Sequence, residues 1–71
     1  MENIIREPYK FVDEYSDTEY YVGWSLGSYT GGRSWNIKKI WKNGTQWVTG
    51  YPNGDQNNTY IWDNRYDYQY I

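Results

Sequence analysis

The stretch that decides the fold is Ser34-Trp35-Asn36-Ile37-Lys38-Lys39-Ile40-Trp41-Lys42-Asn43-Gly44-Thr45-Gln46-Trp47-Val48. Asn43-Gly44 is a strong signal for a two-residue β-hairpin, because both central positions of a type I′ turn need a positive φ. A turn centred there predicts three cross-strand pairs: Lys42 with Thr45, Ile40 with Trp47, and Lys38 with Thr49. The sequence therefore predicts a hairpin at this point.

The two strands of this hairpin carry apolar residues on both faces. Ile40 and Trp47 fall on one face, and the other face holds Trp35, Ile37, Trp41 and Val48. Two-sided apolar character is typical of a central strand that is covered on both sides. Residues 34–42 also fit a helix, because Ile37, Ile40 and Trp41 have helical spacing, although the glycines nearby count against it.

Residues 20–26 alternate strictly and predict a half-buried strand. Tyr20, Val22, Trp24 and Leu26 share one face, and Tyr21, Gly23 and Ser25 share the other. A short edge strand is expected at residues 9–12. Residues 27–32 contain three glycines, so we expect a loop there.

Residues 51–58 are polar and rich in turn formers, so the chain is expected to leave the sheet there. A strand is expected at residues 59–62. Residues 66–71 alternate and predict a last strand with Tyr66, Tyr68 and Tyr70 on one face. Together these elements predict an all-β fold, a small five-strand SH3-like barrel or sandwich with an Asn-Gly hairpin. We divide the chain into an acidic N-terminal segment at 1–19, which includes the expected edge strand, and a single β domain at 20–71.

The composition separates recognition from catalysis. The 71 residues include five Trp, ten Tyr and one Phe, but no Cys and no His. Tyr and Trp offer large contact areas at a small entropic cost, whereas the commonest nucleophiles, bases and metal ligands are missing. We therefore expect no enzymatic activity, no cofactor and no metal site. A glycosidase pair such as Asp55 and Asp63 would also need a cleft that so small a domain hardly offers.

Charge is unevenly spread along the chain, whose net charge is −2. Residues 1–20 contain six acids and two bases, and residues 33–42 contain four bases and no acid. These runs either pair with other copies of the chain or are solvated faces. Lysines interleaved with rings resemble a platform for single-stranded nucleic acid, but the isoelectric point near 4.8 argues against that partner. No stretch is long and apolar enough for a membrane span.

Several motifs resemble those of a family of small bacteriophage virion-associated proteins. They are Tyr21-Val22-Gly23, the run from Trp35 to Ile40, and Trp62-Asp63-Asn64-Arg65 ahead of a Tyr-rich end. The resemblance spans residues 20–70 and leaves the N-terminal segment outside it. It implies a phage origin and a role as a small structural protein of the virion, assembled in the host cytoplasm, with no defined chemistry.

Two interpretations remain for the run from Trp62 to Arg65. In the first interpretation, Asp63 and Arg65 contact a partner. In the other, Asp63 and Asn64 shape a turn, while Arg65 pairs with Asp63 or Asp67 or stacks on a ring.

We expect a virion structural or accessory protein that docks onto other phage proteins, or onto copies of itself, through aromatic contacts. A phage-encoded inhibitor of a host protein and a glycan-binding module are the alternatives. The glycan alternative uses Trp24, Trp47 or Trp62 with the Asn-rich loop. The residues expected to contact a partner are Trp24, Trp47, Trp62, Arg65, Tyr66, Tyr68 and Tyr70.

Overall fold

Five antiparallel strands form the protein in the computed structural model, which describes residues 9–71. They are β1 (Tyr9–Ser16), β2 (Glu19–Ser25), β3 (Arg33–Asn43), β4 (Gln46–Gly50) and β5 (Tyr60–Ile61). A 3₁₀ turn at Trp62–Asn64 follows β5. The fold is therefore all-β with five strands, as the sequence predicts.

Strand β3 is the centre of the sheet. One of its edges pairs with β2, and the other pairs with β4 near its C-terminal end and with β5 near its N-terminal end. Among residues 9–71, strand β1 pairs with β2 alone and lies at the edge of the sheet. The sheet does not close on itself, because β1 and β4 lie at opposite ends of the strand order.

The predicted edge strand at residues 9–12 is present and longer than expected, since β1 continues to Ser16. Residues 1–8 of the acidic segment lie outside the described residues. The helical alternative for residues 34–42 is wrong, because all of them belong to β3. The alternation of side chains along this long, paired strand outweighs the helical spacing of Ile37, Ile40 and Trp41.

The turn between β3 and β4 lies one residue later than predicted. Asn43 pairs with Gln46, so the two central residues are Gly44 and Thr45. Gly44 has φ +68°, and neither Asn43 nor Thr45 has a positive φ. A type I′ turn is thus excluded, and Gly supplies the single positive φ at the first central position. The observed cross-strand pairs are Lys42 with Trp47, Trp41 with Val48, and Ile40 with Thr49.

This change of register moves each pair by two residues and leaves the faces as predicted. Side chains alternate with a period of two, so an even shift keeps every residue on its face. Ile40 and Trp47 still share one face, while Trp41 and Val48 share the other. The two faces are covered to different extents: one receives the buried ring of Trp62 with Tyr68 and Tyr70, and the polar loop after β4 only borders the other.

That covered face, here called the inner face, holds the core. Tyr21, Trp35, Ile37 and Trp62 are buried there, and Tyr60, Tyr68 and Tyr70 pack against them. The side chain of Trp35 is fully buried and its Nε1 donates to the backbone oxygen of Tyr29 at 3.0 Å. Losing such a ring typically costs about 3–5 kcal/mol, which is a large share of the stability of a small domain.

The predicted last strand with three tyrosines on one face is also wrong. The chain forms the 3₁₀ turn and further turns through Asp67, and only Tyr70 bridges to Pro52. Tyr51 and Ile71 exchange two backbone hydrogen bonds, at 3.1 and 3.0 Å. The C-terminus is therefore tied to the chain just beyond β4. Alternation of tyrosines alone did not specify a strand here, because these rings fill the core from an irregular segment.

Candidate functional site

The uncovered face of the sheet, here called the outer face, is the candidate site. The 3₁₀ turn lies on the inner side, where the Trp62 ring packs on Gly23. The outer face is built by residues that lie opposite one another in the strand register: Lys10, Val12, Glu14, Tyr20, Val22, Trp24, Asn36, Lys38, Ile40, Lys42, Trp47 and Thr49.

One end of the outer face is centred on Trp24. Lys10 of β1 and Asn36 of β3 lie opposite Trp24 on its two sides. The Trp24 side chain is 39% exposed, although it stands on the second strand of the sheet. Its exposure follows from the alternation of β2, which turns Tyr21, Gly23 and Ser25 inward. This end therefore presents an aromatic ring between a cation and an amide.

The middle of the outer face is apolar. Val12 lies opposite Val22, and Val22 lies opposite Lys38. Val12 is 56% exposed, and Val22 is half-buried. Aliphatic side chains at the centre of an uncovered sheet face gain free energy when a partner removes them from water.

The other end of the outer face carries a second aromatic group. The rings of Tyr20 and Trp47 lie 5.7 Å apart between centroids, and the Lys42 ammonium lies 6.0 Å from the Trp47 ring. Trp47 is 50% exposed. Trp24 and Trp47 thus stand at opposite ends of one face with an apolar centre between them.

The charges on this face are mostly positive. Lys10, Lys38 and Lys42 contribute three cations, and Glu14 contributes one acid. In contrast, Lys39 points to the inner face, where its ammonium lies 5.0 Å from the Trp41 ring and 4.0 Å from a Glu19 oxygen. The neighbouring lysines of the Lys38-Lys39 pair therefore serve opposite faces of the sheet.

A groove of about 600 Å³ runs along the Trp24 end of the outer face. It is lined by Lys10, Val22, Trp24, Asn36, Lys38, Tyr51 and Gln56. A second hollow of about 320 Å³ shares Trp24 and is completed by Leu26, Ser34 and Asn58. The lining combines one indole ring with lysines and amides, which suits recognition of a polar ligand with an apolar surface.

The polar loop after β4 forms one wall of this groove and is held in place by its own hydrogen bonds. Asn36 Nδ2 donates to the Gln56 backbone oxygen. Asn58 Nδ2 donates to the Trp24 oxygen at 3.3 Å and the Ser34 oxygen at 3.4 Å. Within the loop, the Tyr60 hydroxyl donates to Asp55 Oδ2 at 2.9 Å. The asparagines of this stretch therefore act partly as structural ties.

On the inner face, Asp13, Arg65 and Tyr66 form a cluster that joins β1 to the C-terminal segment. Arg65 Nε donates to Asp13 Oδ2 at 2.9 Å, and the Tyr66 hydroxyl donates to the same oxygen. The Arg65 guanidinium lies 4.5 Å from the Trp62 ring and 4.6 Å from the Tyr66 ring. The predicted ring stacking of Arg65 is confirmed, but its ionic partner is Asp13 rather than Asp63 or Asp67.

This cluster shifts the pKa values of its members. Burial raises the pKa of Asp13, but the hydrogen bonds from Tyr66 and Arg65 and the Arg65 charge outweigh it, so the pKa lies below its ordinary value. The hydrogen bond to Asp13, with burial, raises the pKa of Tyr66. The cluster is therefore charged as an ion pair near neutral pH and serves to hold two ends of the chain together.

The residues expected to contact a partner fall into two groups in the structure. Trp24, Trp47 and Tyr66 are exposed, with Trp24 and Trp47 on the outer face. Trp62 is buried in the core, and Arg65 is half-buried against its ring. Tyr68 and Tyr70 pack against the core, and their hydroxyls bind backbone groups: Tyr68 accepts from Ile61 N at 2.9 Å, and Tyr70 donates to Arg65 O at 2.7 Å.

Sequence reasoning missed the outer-face residues that are not aromatic. Lys10, Val12 and Val22 gave no individual signal, and Lys38 was noted only as one of several lysines interleaved with rings. The alternation predicted that Val22 and Trp24 share a face, but it did not predict which of the two faces of the strand is buried. The sequence feature that could have identified the buried face was Gly23, since a glycine on one face of a strand can mark the close approach of another group on that face.

Within residues 9–71, no group of three His, Cys, Asp or Glu side chains is placed to hold a metal ion. The same residues contain no helix with the length and apolar character needed to cross a membrane.

Comparisons with protein-family models, curated proteins and solved structures found no match to this chain.

Proposed function

We propose that this chain is a non-enzymatic docking protein of a bacteriophage particle, and that the outer face binds another phage protein. The observation that carries the proposal is the placement of two exposed indoles, Trp24 and Trp47, at the two ends of an uncovered sheet face with an apolar centre. The phage origin is supported by the resemblance of the motifs at residues 35–40 and 62–65.

The chemistry of the outer face suits a protein partner. Large aromatic side chains commonly supply most of the affinity of a protein interface, and charged groups at the rim favour the correct partner. Trp24 and Trp47 are the anchors in this proposal, with Val12 and Val22 between them. Because the outer face carries three lysines and one glutamate, we expect the partner's surface to be acidic around an apolar centre.

Quantitative mass spectrometry of purified particles tests this proposal. The double variant Trp24→Ala/Trp47→Ala should fold, because both side chains are substantially exposed, but its incorporation should fall by at least roughly tenfold, as expected for two anchors worth 1–2 kcal/mol each. Tyr29→Ala is the matched control, since Tyr29 is 75% exposed in the loop between β2 and β3. Wild type absent from particles, or a double variant incorporated as well as wild type, would overturn the proposal.

Co-purification of a host protein with a chain that is absent from particles would instead favour the inhibitor. Loss of that host protein from the Trp24→Ala/Trp47→Ala variant would then show that it binds the outer face.

A glycan-binding module is the second candidate, favoured by the groove beside Trp24. An indole stacks on the apolar face of a sugar ring, and Asn36, Gln56 and the lysines can bind its hydroxyl or acidic groups. Binding on a glycan array should then be lost in Trp24→Ala and kept in Trp47→Ala, because Trp47 lies outside the groove. Equal loss in both variants, or no glycan retained by wild type, would contradict this candidate.

A further inference from the structure

Strand β1 has one edge that no strand of residues 9–71 covers. Its partner β2 lies on one side, from Tyr9 opposite Ser25 to Ser16 opposite Glu19. No backbone hydrogen bond from another part of residues 9–71 reaches its second edge. Eight residues of open strand edge form a template for pairing with another chain.

The usual protection of such an edge is weak in β1. Proteins guard open edges with proline, inward-pointing charge, β-bulges or short length. Strand β1 contains no proline, and its inward-pointing Asp13 is neutralised by Arg65 at 2.9 Å. Val12 and Tyr15 are more than half exposed. The register of β1 with β2 shifts between Glu14 and Ser16 but is regular from Tyr9 to Glu14. This regular part of the edge is partly apolar.

The charges of β1 are arranged symmetrically about Val12. Lys10 lies two residues before Val12 and Glu14 lies two residues after it, and all three belong to the outer face. When two copies of such a strand run antiparallel about an axis at Val12, Lys10 of each copy lies opposite Glu14 of the other. The strand is thus complementary to itself in charge.

We propose that β1 pairs with β1 of a second copy of this chain, antiparallel, about a two-fold axis at Val12. The two sheets then form one continuous sheet, with two Lys10–Glu14 pairs flanking a Val12–Val12 contact. This interface uses the strand edge and leaves both outer faces open. It therefore stands independently of the docking function proposed above.

Other two-fold registers that keep the inner faces on the same side are less favourable. An axis at Lys10, Asp13 or Glu14 places that charged residue opposite its own copy, and like charges directly opposite destabilise a sheet. An axis at Phe11 puts Lys10 opposite Val12 and leaves both charges of the outer face unpaired. Only the axis at Val12 pairs opposite charges and opposes no like ones.

Single-cysteine crosslinking tests the register, because the natural chain has no cysteine. Directly opposite residues in an antiparallel pair have Cα atoms about 4.5–5.5 Å apart, within the reach of a disulfide. Val12→Cys should therefore form a disulfide-linked dimer rapidly under mild oxidation. The matched control Ser16→Cys, at the exposed end of β1, should not, since the two Ser16 positions are offset by eight residues, or about 26 Å along the strands.

Charge reversal with sedimentation provides a second readout that needs no crosslink. Lys10→Glu replaces two attractive pairs by two repulsive ones and should weaken dimerisation by roughly tenfold at low salt. Adding Glu14→Lys to the same chain should restore the wild-type dimer. A wild-type monomer at all concentrations, equal crosslinking of Val12→Cys and Ser16→Cys, or no rescue by the double reversal would overturn the proposal.

Discussion

The ring of Trp62 lies directly on Gly23. A Cβ added to Gly23 would be 2.3 Å from Cε3 and 2.5 Å from Cζ3 of Trp62. The 3₁₀ turn that carries Trp62 can therefore approach β2 only because residue 23 has no side chain. This contact closes the inner face, and it leaves the outer face as the uncovered side of the sheet.

Gly23→Ala should therefore destabilise the protein. A methyl group at that position must displace a buried indole, and overpacking of this kind typically costs about 1–3 kcal/mol. Chemical denaturation should show the loss as a lower midpoint. Gly27→Ala is the control, because its nearest neighbour, Ser34 Oγ, would be 4.0 Å from the new Cβ. Equal stability of the two variants would contradict the packing account.

The link between Asp13 and Arg65 should stabilise the protein in a pH-dependent manner. The folded-state pKa of Asp13 is lowered, so its stabilisation is complete above the unfolded value near pH 4 and is lost as the pH falls through the folded value. Asp13→Asn should cost about 1–2 kcal/mol at neutral pH, as for hydrogen bonds to a charged group.

Denaturation curves from pH 7 to pH 2 measure this effect. The Asp13→Asn variant should lose less stability than wild type over the acidic part of that range. Asp67→Asn is the control, because Asp67 is exposed and forms no ion pair among residues 9–71. If Asp13→Asn and wild type lost stability in parallel below pH 4, Asp13 would not be the linked group.

The hairpin turn gives a prediction that separates the two turn assignments. Gly44 has φ +68°, so Gly44→Ala should cost about 1–2 kcal/mol from left-handed strain. Asn43 is the last residue of β3 and has no positive φ, so Asn43→Ala should change stability by less than about 0.5 kcal/mol. A type I′ turn at Asn43-Gly44 would make both substitutions costly, and thermal unfolding of the two variants distinguishes these cases.

Several tyrosines should ionise late in alkaline solution. Burial raises the pKa of Tyr21 and Tyr70, burial and the hydrogen bond to Asp55 raise that of Tyr60, and the hydrogen bond to Asp13 raises that of Tyr66. Raised folded-state values mean that this stabilisation is complete below about pH 10 and is lost above it. Absorbance at 295 nm should therefore show these four tyrosines titrating at a higher pH in the folded protein than in the unfolded chain. A single transition near pH 10 for all ten tyrosines, in a chain that stays folded, would contradict the prediction.

Strand positions could be predicted from the sequence because alternation and glycine-rich turns are local signals. The strands around Trp24, Trp35 and Trp47 were found for this reason, with their residues assigned to the correct relative faces. The exact turn pair was missed because Asn43-Gly44 and Gly44-Thr45 give hairpins with the same faces. The turn preference of the Asn-Gly dipeptide favoured a turn at Asn43-Gly44, whereas the paired strands place the turn at Gly44-Thr45.

The C-terminal segment could not be predicted because its structure depends on distant contacts. Tyr66, Tyr68 and Tyr70 alternate like a strand, but Tyr66 binds Asp13 in β1 and Tyr70 packs on the core. Arg65 likewise pairs with a residue 52 positions away. Such pairings are invisible to local patterns, so the sequence could not tell which rings would be core and which would stay exposed.

Lysine labelling of the free and the particle-bound protein tests the docking face most directly. Lys38 and Lys39 are adjacent in the chain but point to the outer and inner faces, respectively, so each is a control for the other. Acetylation followed by fragment-ion mass spectrometry should show Lys38 protected on docking while the reactivity of Lys39 stays unchanged. Undiminished labelling of Lys38 in the particle, or equal protection of Lys38 and Lys39, would contradict the assignment of the outer face as the docking surface.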